Sequence, residues 1–403
     1  MLKILIIVLS VICTLYSLYF VCMAFGIFHK KKTKNNQEYI NKFAILIAAR
    51  NEEKVIAELI NSLKAQDYPK DKFEIFTVVN NSNDHTEEAA LKSGSTIIKC
   101  KGKIASKGDA LKYAFNYLNK RAHIDVYAIF DADNIVDTKF LKNMNSTINN
   151  GYNVAQGYRD SKNINDNWLT SSYAIMYYIQ SMFINKARFN MGKSAFLNGT
   201  GFIVKKSIID KYGFNTKTIT EDIEFTALCA LNNEKIAFVE DAITYDEQVN
   251  KLSTSFTQRR RWSAGTVSCS KIYSFDLLKK ALKERSLTCI DISLFYYSII
   301  LHVLSGVLSV LMVVYYMDNM TFILSNVLTL LISPLAMFIF GILFRIYVIK
   351  KNKKSIRNNL GGIFLFDLFI LTFLPINFIS LFISKCEWKA IKHESVLNSN
   401  VSN

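Results

Sequence analysis

The sequence has no CxxC pair. Its seven cysteines are scattered through 403 residues, which excludes a zinc ribbon or a disulfide framework and fits a reducing compartment. No segment repeats at a fixed period and none is of low complexity, so neither a solenoid nor a disordered tract is expected. No small-x-small cleavage site follows the first apolar run, so that run is expected to remain as an anchor rather than leave as a signal peptide. No nucleic-acid-binding module is recognisable, despite a formal charge of +16.

Long apolar runs take the place of these features. Residues 4–28 carry no charge and are long enough to span a bilayer. Residues 292–317 and 320–347 are similar, the latter carrying Arg345 near its end. A fourth run, 361–384, is interrupted by Asp367, Pro375 and Asn377. It is expected to kink at Pro375 and to lie at the interface or re-enter. Basic residues crowd the flanks of these runs, at 30–34, 350–354 and 385–392, where anionic lipid attracts them. His29, Lys30, Lys31, Lys32 and Lys34 follow the first run and only Lys3 precedes it. The positive-inside rule then puts 30–290 in the cytoplasm, and Lys385, Lys389 and Lys392 favour the same side for the end of the chain. Over 250–285, basic and aromatic residues mix with apolar ones, which suits helices lying on a membrane surface.

Between the first two runs, residues 41–240 alternate strand-like and helix-like stretches. FAILIAA (43–49), FEIFTVV (73–79), STIIKC (95–100) and VYAIF (126–130) read as strands. The stretch after the first places Val55, Ile56, Leu59, Ile60 and Leu63 on one helical face. A helix carrying Ala89, Ala90 and Leu91 follows the second strand, and another runs from Lys107 to Leu118. Apolar strands alternating with helices imply a mostly parallel α/β sheet, in which ligands bind beyond the carboxyl ends of the strands.

Chemistry-bearing motifs stand at those ends. DADN (131–134) follows VYAIF directly. Asp131 and Asp133 are spaced to reach one ligand, and carboxylate oxygens suit Mg²⁺ or Mn²⁺ shared with phosphates; the bland alternative is a solvated acidic turn. TED (220–222) opens a helix. Thr220 is positioned to cap it, and its acids suit the positive helix end, or one of them serves as a general base. LNGTGF (197–202) sets two glycines around Thr200, as a turn or as a close approach of backbone to substrate. FTQRRRWSAG (256–265) joins three arginines to a tryptophan. It suits either an interfacial anchor or a phosphate clamp beside a flat aromatic face.

In this order the motifs resemble those of the membrane-bound family 2 glycosyltransferases, in the group of cellulose, hyaluronan and poly-N-acetylglucosamine synthases. The matching residues are Arg50-Asn51-Glu52, Lys107-Gly108, Asp131 and Asp133, Gly199-Thr200-Gly201, Thr220-Glu221-Asp222, Asp246-Glu247-Gln248, and Gln258 with Arg261 and Trp262. The resemblance implies a GT-A, Rossmann-like domain over 40–270. Around it would lie an anchor (1–29), an interfacial helical linker (271–290), a membrane region of two or three helices (291–385) and a tail (386–403). It implies inverting transfer from a UDP-sugar to a saccharide acceptor, building a β-linked cell-surface polysaccharide at the plasma membrane, with Mg²⁺ or Mn²⁺ and export partners. A single-transfer enzyme making a glycolipid shares the same signature, as would an inactive transferase-like subunit. Asp222 would be the base and Asp133 the metal ligand. Ala49, Arg50, Glu52, Asn80, Lys107, Asp131, Gln258 and Arg261 would hold the nucleotide sugar. Gly199, Thr200, Gly201, Glu221 and Trp262 would face the acceptor. Arg259 and Arg260 are expected to face solvent or lipid headgroups. The family pattern is broken in three places: Asn80-Asn81 where an Asp is usual, and Ala49 and Val249 where prolines are usual.

Overall fold

The structure, a computed structural model, describes residues 1–29, 39–102, 104–121, 123–317 and 320–383. The basic clusters at 30–34 and 385–392 and the tail 386–403 lie outside the described residues, apart from their flanks. After helix α1 (Leu2–Ala24), the chain builds a sheet from β1 (Phe43–Ala49), β2 (Phe73–Val79), β3 (Thr96–Lys99), β4 (Val126–Asp131), β5 (Ile135–Val136), β6 (Val154–Ser161), β7 (Phe202–Lys205) and β8 (Ile236–Asp246). Their spatial order is β3-β2-β1-β4-β7-β6-β8-β5. The parallel order expected from sequence holds from β3 to β4. Beyond β4 the sheet becomes mixed, because β7 runs antiparallel to both β4 and β6.

Strand alternation explains the two layers of core. Ala44 and Leu46 of β1 pack with Leu111, Ala114, Phe115 and Leu118 of α4 (Lys107–Leu118). Phe43, Ile45 and Ile47 point the other way, onto Ile56, Leu59, Ile60 and Leu63 of α2 (Ile56–Lys64). Successive side chains of a strand leave on opposite faces, so a strand buried on both reads as an unbroken apolar run. Helix α3 (Thr86–Lys92) packs beside α2, β2 and β3, and α5 (Phe140–Asn149) covers β6 and β8. Helix α2 starts at Ile56, later than the residue after β1. Asn51 is left-handed, with φ of 61°, and Glu52 and Glu53 donate backbone N–H groups to Thr86 Oγ1 (2.8 Å) and Asp84 Oδ2 (3.1 Å). Those six residues are therefore a loop tied to the loop after β2.

Next come α6 (Trp168–Ile179), a π-helical stretch (Gln180–Lys186), α7 (Ala187–Asn190), α8 (Lys206–Tyr212) and α9 (Glu221–Leu231). A single helix, α10 (Leu252–Glu284), carries the arginine motif and runs without a break through residue 270, where a domain boundary was expected. Its outer face exposes Ile272, Phe275, Leu278 and Leu282. Then follow α11 (Leu287–Tyr296), α12 (Ser298–Met317), α13 (Met320–Lys351), α14 (Leu360–Leu371) and α15 (Phe373–Ser380).

Four helical segments among the described residues are long and apolar enough to cross a membrane: Leu2–Phe28, Ser298–Met317, Leu324–Lys351 and Arg357–Ser380. In the last, the helix breaks at Thr372, three residues before Pro375. Pro375 has no N–H to give the Leu371 carbonyl, so the ladder fails one turn upstream of the ring. The two charges noted in these apolar runs find each other: Arg345 Nη1 and Nη2 lie 2.7 and 3.1 Å from the Asp367 oxygens. Charges at membrane depth are expected to pair in this way.

Candidate active site

The carboxyl ends of β1, β2 and β4 open into a cavity of about 560 Å³. Ala49, Arg50 and Glu52 reach it from the end of β1, Asn80 from β2, and Asp131 and Asp133 from β4. The Asn80 N–H holds the loop in place by donating to the Ala49 carbonyl at 3.1 Å. Lys107, first residue of α4, is almost wholly enclosed. Its ammonium binds the Asp131 carboxylate, donates to the Gly199 carbonyl at 2.6 Å and lies 3.7 Å from Glu221. One lysine thus ties together the DAD turn, the glycine turn and the start of α9.

The charges here set one another. Burial works against the Lys107 ammonium, yet the carboxylates of Asp131 and Glu221 outweigh it and hold its pKa above the usual lysine value. Burial likewise opposes the Asp131 charge, but Lys107, then Arg159 and Arg261, hold its pKa below the usual carboxylate range. Glu52 has the opposite balance: burial first, then the charges of Asp133, Asp131 and Glu247, push it up to about 9. Burial raises Glu221 to about 7, with Lys107 opposing and Asp222 adding to the rise. Asp222 is also raised by burial, against the Ile223 N–H, Lys107, Arg261 and Arg159. A carboxylate made more basic in a cleft is suited to accept a proton.

Asp222 and Glu221 stand in the first turn of α9. Thr220 occupies the cap position, but its side chain makes no capping bond, contrary to expectation. Gly265 of α10 packs against it so closely that a Cβ there would lie 2.3 Å from Thr220 Oγ1. The loop before α9 is instead secured by Glu224, which accepts the N–H groups of Lys217 (2.8 Å) and Thr218 (2.6 Å) and the Tyr273 hydroxyl (2.5 Å).

Helical spacing sorts the arginine motif. Gln258, Arg261, Trp262 and Thr266 all line the cavity, as residues three and four apart on one face should. Arg260 is exposed. Arg259 overturns the expectation of a solvent- or headgroup-facing side chain: it is fully buried. Its guanidinium lies 4.7 and 4.5 Å from the ring centroids of Phe369 and Phe373, and Nη1 donates to Thr372 Oγ1 at 2.7 Å. It bolts α10 to the break between α14 and α15, where the Thr372 hydroxyl and the Phe369 carbonyl accept hydrogen bonds from its Nη1.

The glycine motif divides in the same manner. Gly199 lines the cavity, whereas Thr200 and Gly201 do not. Thr200 is fully buried, with its hydroxyl bonded to Asn134 and accepting the Asp131 N–H at 3.0 Å. Gly201 has φ of 61°, and a Cβ on it would lie 2.8 Å from the Thr244 side chain. Thr200 therefore braces the DAD turn and Gly201 packs against β8, and neither lines the cavity.

Sequence reading missed Arg159. It leaves β6 to bond the Asp246 carboxylate and the Asn198 carbonyl (2.9 Å), with its guanidinium 4.3 Å from the Tyr177 ring centroid, and it lines the cavity. No spacing rule links residues so far apart in the chain. The faint signal was a cation within a strand that pairs with β8, which ends at Asp246.

Residues 41–265 match the family model described as "Glycosyltransferase like family 2". The chain is 28% identical over 240 residues to "Probable glycosyltransferase YdaM" of Bacillus subtilis (strain 168), covering 58% of this chain and 57% of that protein. It is 26% identical over 225 residues to "Beta-monoglucosyldiacylglycerol synthase" of Synechocystis sp., covering 55% of this chain and 47% of that one. The chain spans about half the length of these curated relatives. Among solved structures, the mannosyltransferase PcManGT from Pyrobaculum calidifontis, in complex with GDP-Man and Mn²⁺, superposes with a TM-score of 0.61 at 15% identity. That match covers 87% of this chain and 99% of the other, and shows a shared fold.

Proposed function

The chain belongs to glycosyltransferase family 2, and on that premise we propose that it transfers a sugar from a UDP-sugar to an acceptor hydroxyl with inversion at the anomeric carbon. The observation that carries this reading is the shared cavity. The raised carboxylate of Asp222, the DAD turn and the guanidinium of Arg261 all face it, although they come from three separate elements. Asp222 takes the proton as the acceptor oxygen attacks. Arg261 and Gln258 hold the diphosphate and stabilise the charge that UDP carries away. Arg50 and Asn80 lie on the nucleotide side, where the Asn80 amide can bond a uracil edge.

The residues present fit a divalent cation. Asp131, Asp133, Glu52 and Glu247 all line the cavity, and burial together with the charges of Asp133, Asp131 and Glu247 pushes Glu52 up to about 9. Among the described residues no group of three or more His, Cys, Asp or Glu could hold a metal unaided. A hard cation completed by diphosphate oxygens suits so small a donor set. Asp131 is engaged by Lys107, so Asp133 is the assigned ligand for Mg²⁺ or Mn²⁺. When bound, the ion would neutralise charge on the departing diphosphate.

Resemblance to the synthase group supports a β-linked cell-surface polysaccharide, made at the plasma membrane with the catalytic domain in the cytoplasm and handed to export partners. A single transfer to a lipid is the second reading, favoured by the relatives named as glycolipid synthases. The test is purified full-length protein with Mg²⁺ or Mn²⁺ and a panel of UDP- and GDP-sugars. Stoichiometric UDP release with a sugar-containing product is expected. Binding of nucleotide sugar with no release under any condition would instead indicate a transferase-like subunit.

A further inference from the structure

Two turns carry the proposed chemistry. The DAD turn holds Asp133, the assigned metal ligand. The Asn198–Gly199 turn stands against Asp222, the proposed base. These turns are far apart in the chain, so local backbone does not set the distance between them. Two cations span it. Lys107 comes from α4 and joins the Asp131 carboxylate to the Gly199 carbonyl. Arg159 comes from β6 and joins the same two turns by another route.

One arm of that route runs to the DAD turn. Arg159 Nε bonds Asp246 Oδ2. The other oxygen of that buried carboxylate, Oδ1, accepts from Asn134 Nδ2 at 2.8 Å. Asn134 Oδ1 in turn accepts the Asp131 N–H at 3.1 Å. The second arm is direct, since Arg159 Nη1 donates to the Asn198 carbonyl at 2.9 Å. Asn198 is held from two further directions, its N–H donating to Gln156 Oε1 (2.9 Å) and its Oδ1 accepting from Gln180 Nε2 (3.0 Å). The Tyr177 ring packs on the guanidinium and limits its swing. Arginine presents its donors in a rigid planar fork, so both arms keep one geometry.

Resting on the transfer reaction proposed above, we infer that Arg159 is a positioning residue that fixes the base side of the site against the metal side. It holds the Asn198–Gly199 turn, and with it Asp222, at a set distance from the DAD turn. Displacement at the anomeric carbon needs the attacking oxygen, its base and the departing diphosphate in register, and small misplacements are costly. Neutralising Asp246 would require only the first arm. The second arm, and a side chain that lines the cavity, serve the site itself. Its charge acts in the same sense. Burial raises the Asp222 pKa, and Arg159 opposes that rise together with the Ile223 N–H, Lys107 and Arg261.

Two variants of the full chain in nanodiscs separate fork from charge. Donors are UDP-glucose and UDP-N-acetylglucosamine with Mn²⁺, and lipid and oligosaccharide acceptors are supplied together. UDP affinity is read by calorimetry and folding by thermal unfolding. Arg159→Lys keeps the charge and loses the fork. Its kcat should fall about tenfold or more, with UDP affinity and the acid limb of the rate profile unchanged. Arg159→Met loses both. Its kcat should fall about 10²-fold or more, and its acid limb should move to higher pH, because one cation opposing protonation of Asp222 is gone. If Arg159→Met does not fold, the split between kcat and UDP affinity in Arg159→Lys decides alone. A lower melting temperature with wild-type kcat makes Arg159 a cation of the fold only and overturns the inference. Parallel loss of UDP affinity and kcat makes it a nucleotide ligand and overturns it too. In both cases the wild-type enzyme still transfers, so the transferase reading stands. Absence of UDP release by the wild type overturns both.

Discussion

Gly199 stands directly against Asp222. A Cβ built on Gly199 would lie 3.3 Å from Asp222 Oδ2, and the backbone there has φ of 83°. The glycine keeps free the space beside the proposed base and adopts a conformation that side-chain-bearing residues avoid. Gly199→Ala should therefore displace Asp222 and strain the turn. A fall in kcat of about 10²-fold is expected, as for small misplacements of reacting groups, with UDP affinity nearly intact. Unchanged kcat would mean that the contact does not set the position of the base.

Asp222→Asn should bind the nucleotide sugar normally and lose about 10²–10⁴-fold in kcat, the usual consequence of removing a general base. Burial raises the Asp222 pKa, so the wild-type rate should fall as pH drops through a value above the ordinary aspartate range, where the base becomes protonated. That acid limb should disappear in the variant. A parallel loss of binding and turnover would assign Asp222 a structural role.

Chelation should abolish transfer, and excess Mg²⁺ or Mn²⁺ should restore it. Asp133→Ala should abolish it irreversibly, since the diphosphate loses its assigned counter-charge. Full activity in chelator would remove the metal assignment.

The three arginines should give three different results. Arg261→Ala should weaken UDP binding by about 1.5–3 kcal/mol, the worth of a charge-assisted hydrogen bond. Arg259→Ala should leave a cavity among Phe256, Phe369 and Phe373 and lower the melting temperature, at a cost of about 2 kcal/mol or more. Arg260→Ala, on an exposed position, should change either quantity by no more than about 0.5 kcal/mol. Calorimetry and thermal unfolding of the three variants decide this, and equal mild losses would reduce the motif to a surface anchor.

Much of the site was legible because it is built from local rules. An unbroken apolar run such as FAILIAA can be satisfied only as a strand buried on both faces, and its carboxyl end must open on the ligand side of the sheet. Ala49, Arg50, Asn80, Asp131 and Asp133 end or follow such strands, and all of them line the cavity. Helical spacing likewise grouped Gln258, Arg261 and Trp262. The same periodicity is silent on which face of α10 turns inward, so the fate of Arg259 could not be read from it. A triple arginine looks solvated until the break at Thr372 supplies an acceptor.

Sequence by itself determined the α/β layering, the apolar spans and the identity of the carboxylates at the strand ends, since each depends on residues within one or two turns or strands of one another. Tertiary structure alone decided the rest. It paired Arg159 with Asp246 and turned Thr200 into a brace for the DAD turn. It also brought Phe196, Phe295 and Phe373 around the cavity that Asp222 faces. These contacts join segments far apart in the chain. What selects them is mutual shape and burial among whole helices and strands, which no local period records.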